Sequence, residues 1–196
     1  MAVSQYYLGM YRLRTAGLDD LPRIRRLIAA SVRGLHPKHH SPAQVEASLR
    51  TIFTVDTRLL TDGTYFVAEA PSGDLAACGG WSRRKTLYGG DQQVEQVEPE
   101  LLDPAVDAAK IRAIFVHPDH ARKKLGTLIL KTAEEAAEAE GYRAFEMGST
   151  LAGVALYTLR GYSETGRRQV PVDGDIYIEI VLMRKPAGAG EEPGVY

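Results

Sequence analysis

The sequence predicts an α/β protein, with strands and helices interspersed along one chain. Three observations carry this. Helical periodicity runs from Leu18 to Val32 and again from Leu125 to Glu140. Two strand-like runs, Thr64 to Ala70 and Leu75 to Ser82, flank the turn-forming Pro71-Ser72-Gly73-Asp74. Between Ile114 and Leu130 a strand, a proline, a basic loop and a helix succeed one another. At 196 residues the chain is long enough to bury a core without staples, and a length prior favours one domain. Hydrophobic residues at 44% and charged residues at 25% match ordinary globular domains and argue against disorder.

Composition also excludes function classes. The net charge is −1, so no bulk attraction to nucleic acid or anionic lipid is expected. One cysteine, Cys78, rules out an intrachain disulfide and fits a reducing compartment. No apolar run approaches the roughly 18–20 residues of a membrane span. The opening MAVSQYYLGMYRLR lacks the basic-then-apolar order of a secretory signal, so the expected address is the cytoplasm.

Each element has its own signal. Tyr11 to Arg14 alternates weakly and reads as a first strand. Leu21, Ile24, Ile28 and Val32 share one helical face, and Asp19, Asp20 and Pro22 suit the start of that helix. Ser41 caps a second helix, Pro42 opens it and Gln44 completes a capping box; Val45, Leu49 and Ile52 form its stripe. The two runs around Pro71 to Asp74 form a hairpin. Arg83 to Asp107 has no period and reads as a long excursion over a functional face. Lys110 to Val116 is an apolar strand. In the helix from Leu125 to Glu140, Leu125, Leu128, Ile129 and Ala133 face inward, while Lys131, Glu134, Glu135 and Glu138 face solvent. Gly141 closes that helix. Ala144 to Gly148 is a strand, and Gly153 to Arg160 a short helix closed by Gly161. Tyr162 to Arg168 and Ile176 to Arg184 are the last strands. Residues 1–185 make one domain, and the Gly/Pro/Glu-rich 186–196 reads as a disordered tail.

The chemistry concentrates in IFVHPDHARKKLGTLIL, Ile114 to Leu130. A helix start presents unpaired N–H groups and the positive end of its dipole, which favours an anion, most often phosphate. Gly126 allows close approach to the backbone, and Arg122, Lys123 and Lys124 add positive charge. The same residues also fit a solvated basic loop capping an ordinary helix.

Val116-His117-Pro118-Asp119 followed by Ala121-Arg122-Lys123-Lys124-Leu125-Gly126 resembles the acetyl-CoA loop of the GNAT superfamily of N-acetyltransferases. That loop reads Arg/Gln-x-x-Gly-x-Gly/Ala. Here Ala121 stands at the Arg/Gln position and Lys124 at the first Gly; Gly126 keeps the second. A Lys there still supplies a backbone N–H, which calls for φ/ψ open to non-glycine residues. A second block, Ser149-Thr150-Leu151-Ala152-Gly153-Val154-Ala155-Leu156-Tyr157 with Gly161-Tyr162, is similar to the family's Asn-x-x-Ala-x-x-x-Tyr and Gly-Phe/Tyr. Thr150 stands for Asn and Gly153 for Ala.

The resemblance implies a mixed, strongly twisted central sheet with helices on both faces and two splayed middle strands, here Lys110–Val116 and Ala144–Gly148. It implies acetyl-CoA as cosubstrate and no metal. The backbone of Ile114, Phe115 and Val116 would pair with the pantetheine arm. The N–H groups of Arg122, Lys123, Lys124, Leu125, Gly126 and Thr127 would hold the pyrophosphate, and Thr150 is carried over as a cofactor contact. Tyr157 occupies the place of the proton donor to the departing thiolate. A phenol with its ordinary pKa near about 10 is protonated at neutral pH and fit to donate; a core aromatic is the competing reading.

The base is not readable. Glu146, Tyr88, Asp91 and the histidines around His36 are candidates. His36, His39 and His40 also raise a metal reading, but their spacing suits no tight structural site. Cys78 reads as a small buried residue, and Trp81 as pocket lining or core. The expected acceptor is a primary amine of a small molecule or protein; Asp91, Glu95, Glu98, Glu100 and Asp103 would attract a cationic one. A possible homodimer is a family-level expectation. The competing function is a non-catalytic acyl-CoA-binding sensor. Nucleic-acid binding through Arg83-Arg84-Lys85 and Arg122-Lys123-Lys124 lacks aromatic interleaving and a basic net charge.

Overall fold

A computed structural model of the chain describes residues 6–85, 87, 91 and 100–188, with side chains described from residue 9 onward. The strands are β1 (Tyr6–Leu8), β2 (Tyr11–Thr15), β3 (Tyr65–Glu69), β4 (Leu75–Ser82), β5 (Ala109–Val116), β6 (Ala144–Thr150), β7 (Ser163–Asp173) and β8 (Ile176–Pro186). The helices are α1 (Leu21–Leu35), α2 (Pro42–Arg50), α3 (Thr57–Thr61), α4 (Leu125–Ala139) and α5 (Val154–Thr158). The strands form one sheet in the order β1-β2-β3-β4-β5-β6-β8-β7.

Every neighbouring pair is antiparallel except β5 with β6. That parallel pair meets only at Ala109↔Phe145 and Lys110↔Glu146, and beyond those residues the strands part. The split is the central feature of the architecture, because it leaves the β6-facing edge of β5 without a strand partner.

Two apolar clusters lie on opposite faces of the sheet. A bulge in β5 at Ala113 and Ile114 shifts the alternation, so Ile111 belongs with Ile129, Met147 and Tyr157 under α4, whereas Phe115 belongs with Ile28, Val32 and Cys78 under α1. Ile114 and Val116 pack on the α4 side and Ala113 on the α1 side. A third cluster seats Ala47 and Ile52 on Val170, Ile178 and Ile180 of the last hairpin.

The expected elements are present with several corrections. β1 precedes the strand expected to be first, and α3 falls where no element was expected. Leu18–Asp20 forms a 3-10 turn, so the first α-helix begins at Leu21. Asp20 Oδ2 accepts from Gly17 N at 3.0 Å, and Asp20 also pairs with Arg14. The capping box of α2 forms as expected: Gln44 N donates to Ser41 Oγ at 3.3 Å and Ser41 N to Gln44 Oε1 at 2.9 Å. Gly141 and Gly161 take φ of 97° and 87° at the ends of α4 and α5. Glu134, expected on the solvent face of α4, instead accepts from Tyr162 Oη at 2.8 Å and pairs with Lys185 Nζ at 2.9 Å. Ordered structure continues past residue 185: Pro186 pairs with Ala144, and Ala187 N donates to Arg143 O at 2.8 Å. The rest of the expected tail, residues 189–196, lies outside the described residues.

Candidate active site

A cavity of about 630 Å³ occupies the split between β5 and β6 and reaches both faces of the sheet. Its walls are β5, β6, the loop leading into α4, the start of α5, and the segment between α1 and α2. Pairing of β4 with β5 slips between Cys78 and Gly80, so two β5 residues, Ala113 and Ile114, face Gly79. Ala113 has φ 53° at this bulge, which re-aims the strand beside the cavity. Tyr65 Oη donates to Ala113 O at 2.9 Å and lies 3.3 Å from Cys78 Sγ, which braces the bulge from the α1 face.

The loop after β5 is built around a capped turn. His117 N donates to Ala76 O at 2.8 Å, and Asp119 N donates to His117 Nδ1 at 3.3 Å, so His117 belongs to the turn. Arg122 and Lys124 both have positive φ, 65° and 61°. The left-handed Lys124 is the N-cap of α4, and the first helical bond runs from Leu128 N to Lys124 O at 3.0 Å. The N–H groups ahead of it point out of the helix start without helical partners. The expectation for Lys124 needs correcting here. The backbone takes the left-handed conformation that favours Gly, and Lys adopts it at a steric cost.

Of the residues singled out from the sequence for cofactor contact, Ile114–Val116, Arg122, Lys124–Thr127 and Thr150 line the cavity. Lys123 does not; its side chain is exposed and adds only charge nearby. An unpaired strand edge, free helix-start N–H groups and adjacent cations suit a long pantetheine arm ending in phosphates.

Tyr157 also lines the cavity, from α5, and is 8% exposed. Its hydroxyl has no hydrogen-bond partner among the described residues. Burial pushes its pKa above the ordinary phenol range. The ring packs edge-on against Tyr162 at 6.0 Å, and Tyr162 is held in turn by Glu134. Gly153 makes room for it, because a Cβ there would stand 2.7 Å from Tyr157 Cε2 and 2.8 Å from Ser149 Oγ.

Several other candidates are placed elsewhere. Glu146 sits at the closed end of the split, paired with Lys110 and, at 3.0 Å, with Arg184, and does not line the cavity. Asp91 Oδ1 accepts from Thr57 N at 2.8 Å and fastens the start of α3. Glu100 pairs with Lys85, and Asp103 accepts from Ala105 N at 2.9 Å. Tyr88, Glu95 and Glu98 lie outside the described residues. Trp81 is 1% exposed and packs edge-on to Tyr142 at 5.5 Å; it closes the core and does not line the cavity. Burial pushes the Cys78 thiol up to about 12, which keeps it an inert core residue.

Of the histidine cluster, His36 and His39 line the cavity. His36 is 7% exposed, and burial reinforced by His40 and His39 pushes it down to about 4, so it is neutral at pH 7. Sequence reasoning missed Arg112, a cavity-lining residue only 3% exposed, with Nη2 3.3 Å from Asp56 Oδ2. The apolar reading of β5 passed over it, although an Arg within an apolar strand is itself a signal. Among the described residues, no three His, Cys, Asp or Glu gather as metal ligands, and no helix is long and apolar enough to cross a membrane.

The splayed sheet, the helix-start loop and the cavity between them define an acyl-CoA-type acyltransferase architecture. The model of the acetyltransferase (GNAT) family matches residues 24–162, and the chain belongs to that family. Solved structures with the same fold include a GCN5-related N-acetyltransferase from Rhodopseudomonas palustris (19% identity, TM-score 0.67, covering 93% of this chain and 99% of that one). The PaiA N-acetyltransferase from Thermoplasma acidophilum, in complex with coenzyme A, is 14% identical (TM-score 0.62, 91% and 99% covered). A phosphinothricin acetyltransferase from Sinorhizobium meliloti, in complex with AcCoA, is 19% identical (TM-score 0.60, 93% and 91% covered). No curated protein matches the chain in sequence.

Proposed function

We propose that this protein transfers the acetyl group of acetyl-CoA to a primary amine of a small molecule or protein by direct attack, with Tyr157 as general acid. The observation that carries the reading is Tyr157: a buried side chain lining the cavity between the parted strands, with a hydroxyl that has no hydrogen-bond partner among the described residues. Burial keeps the phenol protonated, so Tyr157 holds a proton at Oη for the departing thiolate.

Other residues have matching parts. The free edge of β5 at Ile114–Val116 offers N–H and C=O groups to the pantetheine amides, as an added strand would. The N–H groups around Lys124–Thr127 receive the pyrophosphate, with Arg122 and Lys124 supplying countercharge. When bound, acetyl-CoA supplies an activated acyl group, and a β5 N–H near the bulge polarises its carbonyl.

The test is a thiol-release assay with purified protein, acetyl-CoA and an amine panel. Amine-dependent release together with acetylated product is expected. CoA binding without release from any amine would instead identify a non-catalytic acyl-CoA sensor.

A further inference from the structure

His36 is a cavity-lining side chain that the proposed chemistry leaves without a task. It follows α1, and its ring meets Phe53 edge-on at 5.2 Å; Phe53 in turn meets Phe115 edge-on at 5.9 Å. Phe115 belongs to the α1 face of the sheet. Tyr157 and Leu156 belong to the α4 face, where Leu156 Cδ2 would lie 3.1 Å from a Cβ on Gly126. Through Phe53, His36 sits on the α1 side of the split while Tyr157 sits on the α4 side, and both line the cavity, so an acceptor entering from the α1 side would meet His36.

The ring itself points to a ligand. Its Nδ1 is enclosed and has no hydrogen-bond partner, whereas Nε2 is not among the enclosed atoms. A neutral imidazole carries one N–H. Enclosing a bare lone pair costs less than enclosing an unpaired N–H, which assigns the proton to Nε2, the ring nitrogen left accessible. An unpartnered N–H donor on a cavity-lining ring calls for an acceptor oxygen on whatever binds there.

The surrounding charge sets the sign of that oxygen. The described lining carries Lys38 and His39 next to His36 in the chain and no Asp or Glu among the described residues; of its other cations, Arg112 is paired with Asp56, and Arg122 and Lys124 serve the pyrophosphate in the reading above. The nearest described carboxylates are occupied: Asp56 by Arg58 and Arg112, and Glu46 by Arg33 at 2.8 Å. A cationic polyamine would find no described carboxylate in this wall.

We infer that the acceptor is an amine that also carries an anionic oxyacid group, a carboxylate or a phosphate, held by His36 Nε2–H with Lys38 beside it. The inference rests on the amine-acetylation reading above and names its substrate class. A charge-assisted bond from a buried imidazole discriminates strongly, because a neutral isostere leaves the donor poorly matched.

The experiment measures thiol release with paired amines: glutamate against glutamine, phosphoethanolamine against ethanolamine, an acidic against a neutral peptide amine, and spermidine. At least one anionic member should exceed its neutral partner by tenfold or more in kcat/KM. The glutamate and phosphoethanolamine pairs distinguish carboxylate from phosphate. His36→Leu should erase that preference and leave CoA affinity unchanged by calorimetry. His36→Gln, which keeps an N–H donor, should retain most of the preference and serves if the leucine variant fails to fold. Release with neutral or cationic amines only, or a preference that survives His36→Leu, overturns the inference and leaves the proposed function standing. A tenfold loss of CoA affinity in His36→Leu assigns His36 to the cofactor and overturns it as well. Release with none of these amines overturns both.

Discussion

Gly153 and Tyr157 face each other across one turn at the start of α5, so close that a single added carbon on Gly153 would stand 2.7 Å from Tyr157 Cε2. The same carbon would lie 2.8 Å from Ser149 Oγ. Where family relatives resembling this segment carry Ala, this chain has spent that space on the tyrosine ring. Gly153→Ala is therefore expected to displace Tyr157. Overpacking of this kind costs about 1–3 kcal/mol. A shift of about 1 Å in a reacting group can cost about a hundredfold in rate. Melting temperature and thiol release, measured together, check this.

Tyr157→Phe keeps the ring against Tyr162 and removes only the hydroxyl. Turnover should fall about 10²–10³-fold, the lower half of the range for a general acid, because a thiol leaves fairly readily unaided. CoA affinity and melting temperature should change little. Burial holds the parent phenol protonated past the ordinary range, so any alkaline limb due to it lies at high pH and disappears in the variant. Turnover within threefold of the parent would reduce Tyr157 to packing.

Lys124→Gly removes a side chain from a residue at φ 61°, ψ 13°. An L-residue in the left-handed region costs about 1–2 kcal/mol, partly offset by the larger chain entropy of Gly. A net gain of about 0.5–1 kcal/mol is expected, or roughly 1–4 °C in Tm for a chain of this length. CoA affinity should hold or rise. A sharp fall would make the Lys124 ammonium a phosphate ligand in its own right.

Gly126→Val places its branch against Leu156 Cδ2, 3.1 Å from the first added carbon, and against Val116 Cγ2 at 3.6 Å. CoA affinity by calorimetry should fall at least tenfold. Unchanged affinity would remove this loop from the cofactor site.

His36 makes stability pH-dependent. Its ordinary pKa of 6.5 applies to the unfolded chain, and burial takes it down to about 4 in the folded protein. Between those values the unfolded state binds the extra proton, so stability falls as pH drops from 6.5 toward 4 and the loss is complete below 4. The shift corresponds to about 3 kcal/mol. Positive charge on His40 or His39 opposes a charge on His36 and adds to the effect of burial. Urea denaturation from pH 7.5 to 4 should show this slope in the parent and a shallower one in His36→Phe, where His40, also lowered by burial, still contributes.

Local signals were readable because they act over a few residues. Helix α2 is announced by Ser41, Pro42 and Gln44, whose mutual hydrogen bonds close within three residues. The hairpin β3–β4 follows from the turn between two apolar runs, and α4 from its own stripe and the loop before it. The two motif blocks put Gly126 in the first turn of α4 and Tyr157 on a short helix for the same reason. Elements held mainly by distant partners were not readable. α3 has five residues, and its first turn is fastened by Asp91 from 34 residues away. β1, by contrast, pairs with its immediate neighbour β2 and escaped notice because it has only three residues.

The fate of individual side chains belonged to the tertiary structure. Glu146 resembled a base until its partners proved to be Lys110 and Arg184, brought to it by strand pairing. Glu134 resembled a surface carboxylate, yet it anchors Tyr162 behind Tyr157. His36 is ordinary in sequence, and only tertiary packing, with Phe53 edge-on and His40 beside it, encloses one of its nitrogens. Amino-acid order alone thus settled the family, the element types around the loop and the position of the tyrosine, all encoded in short-range patterns. Packing decided where β5 and β6 part, which charges are already paired and which polar atoms face the cavity. Those depend on contacts between residues far apart in the chain, whose desolvation and pairing leave no mark in any local window.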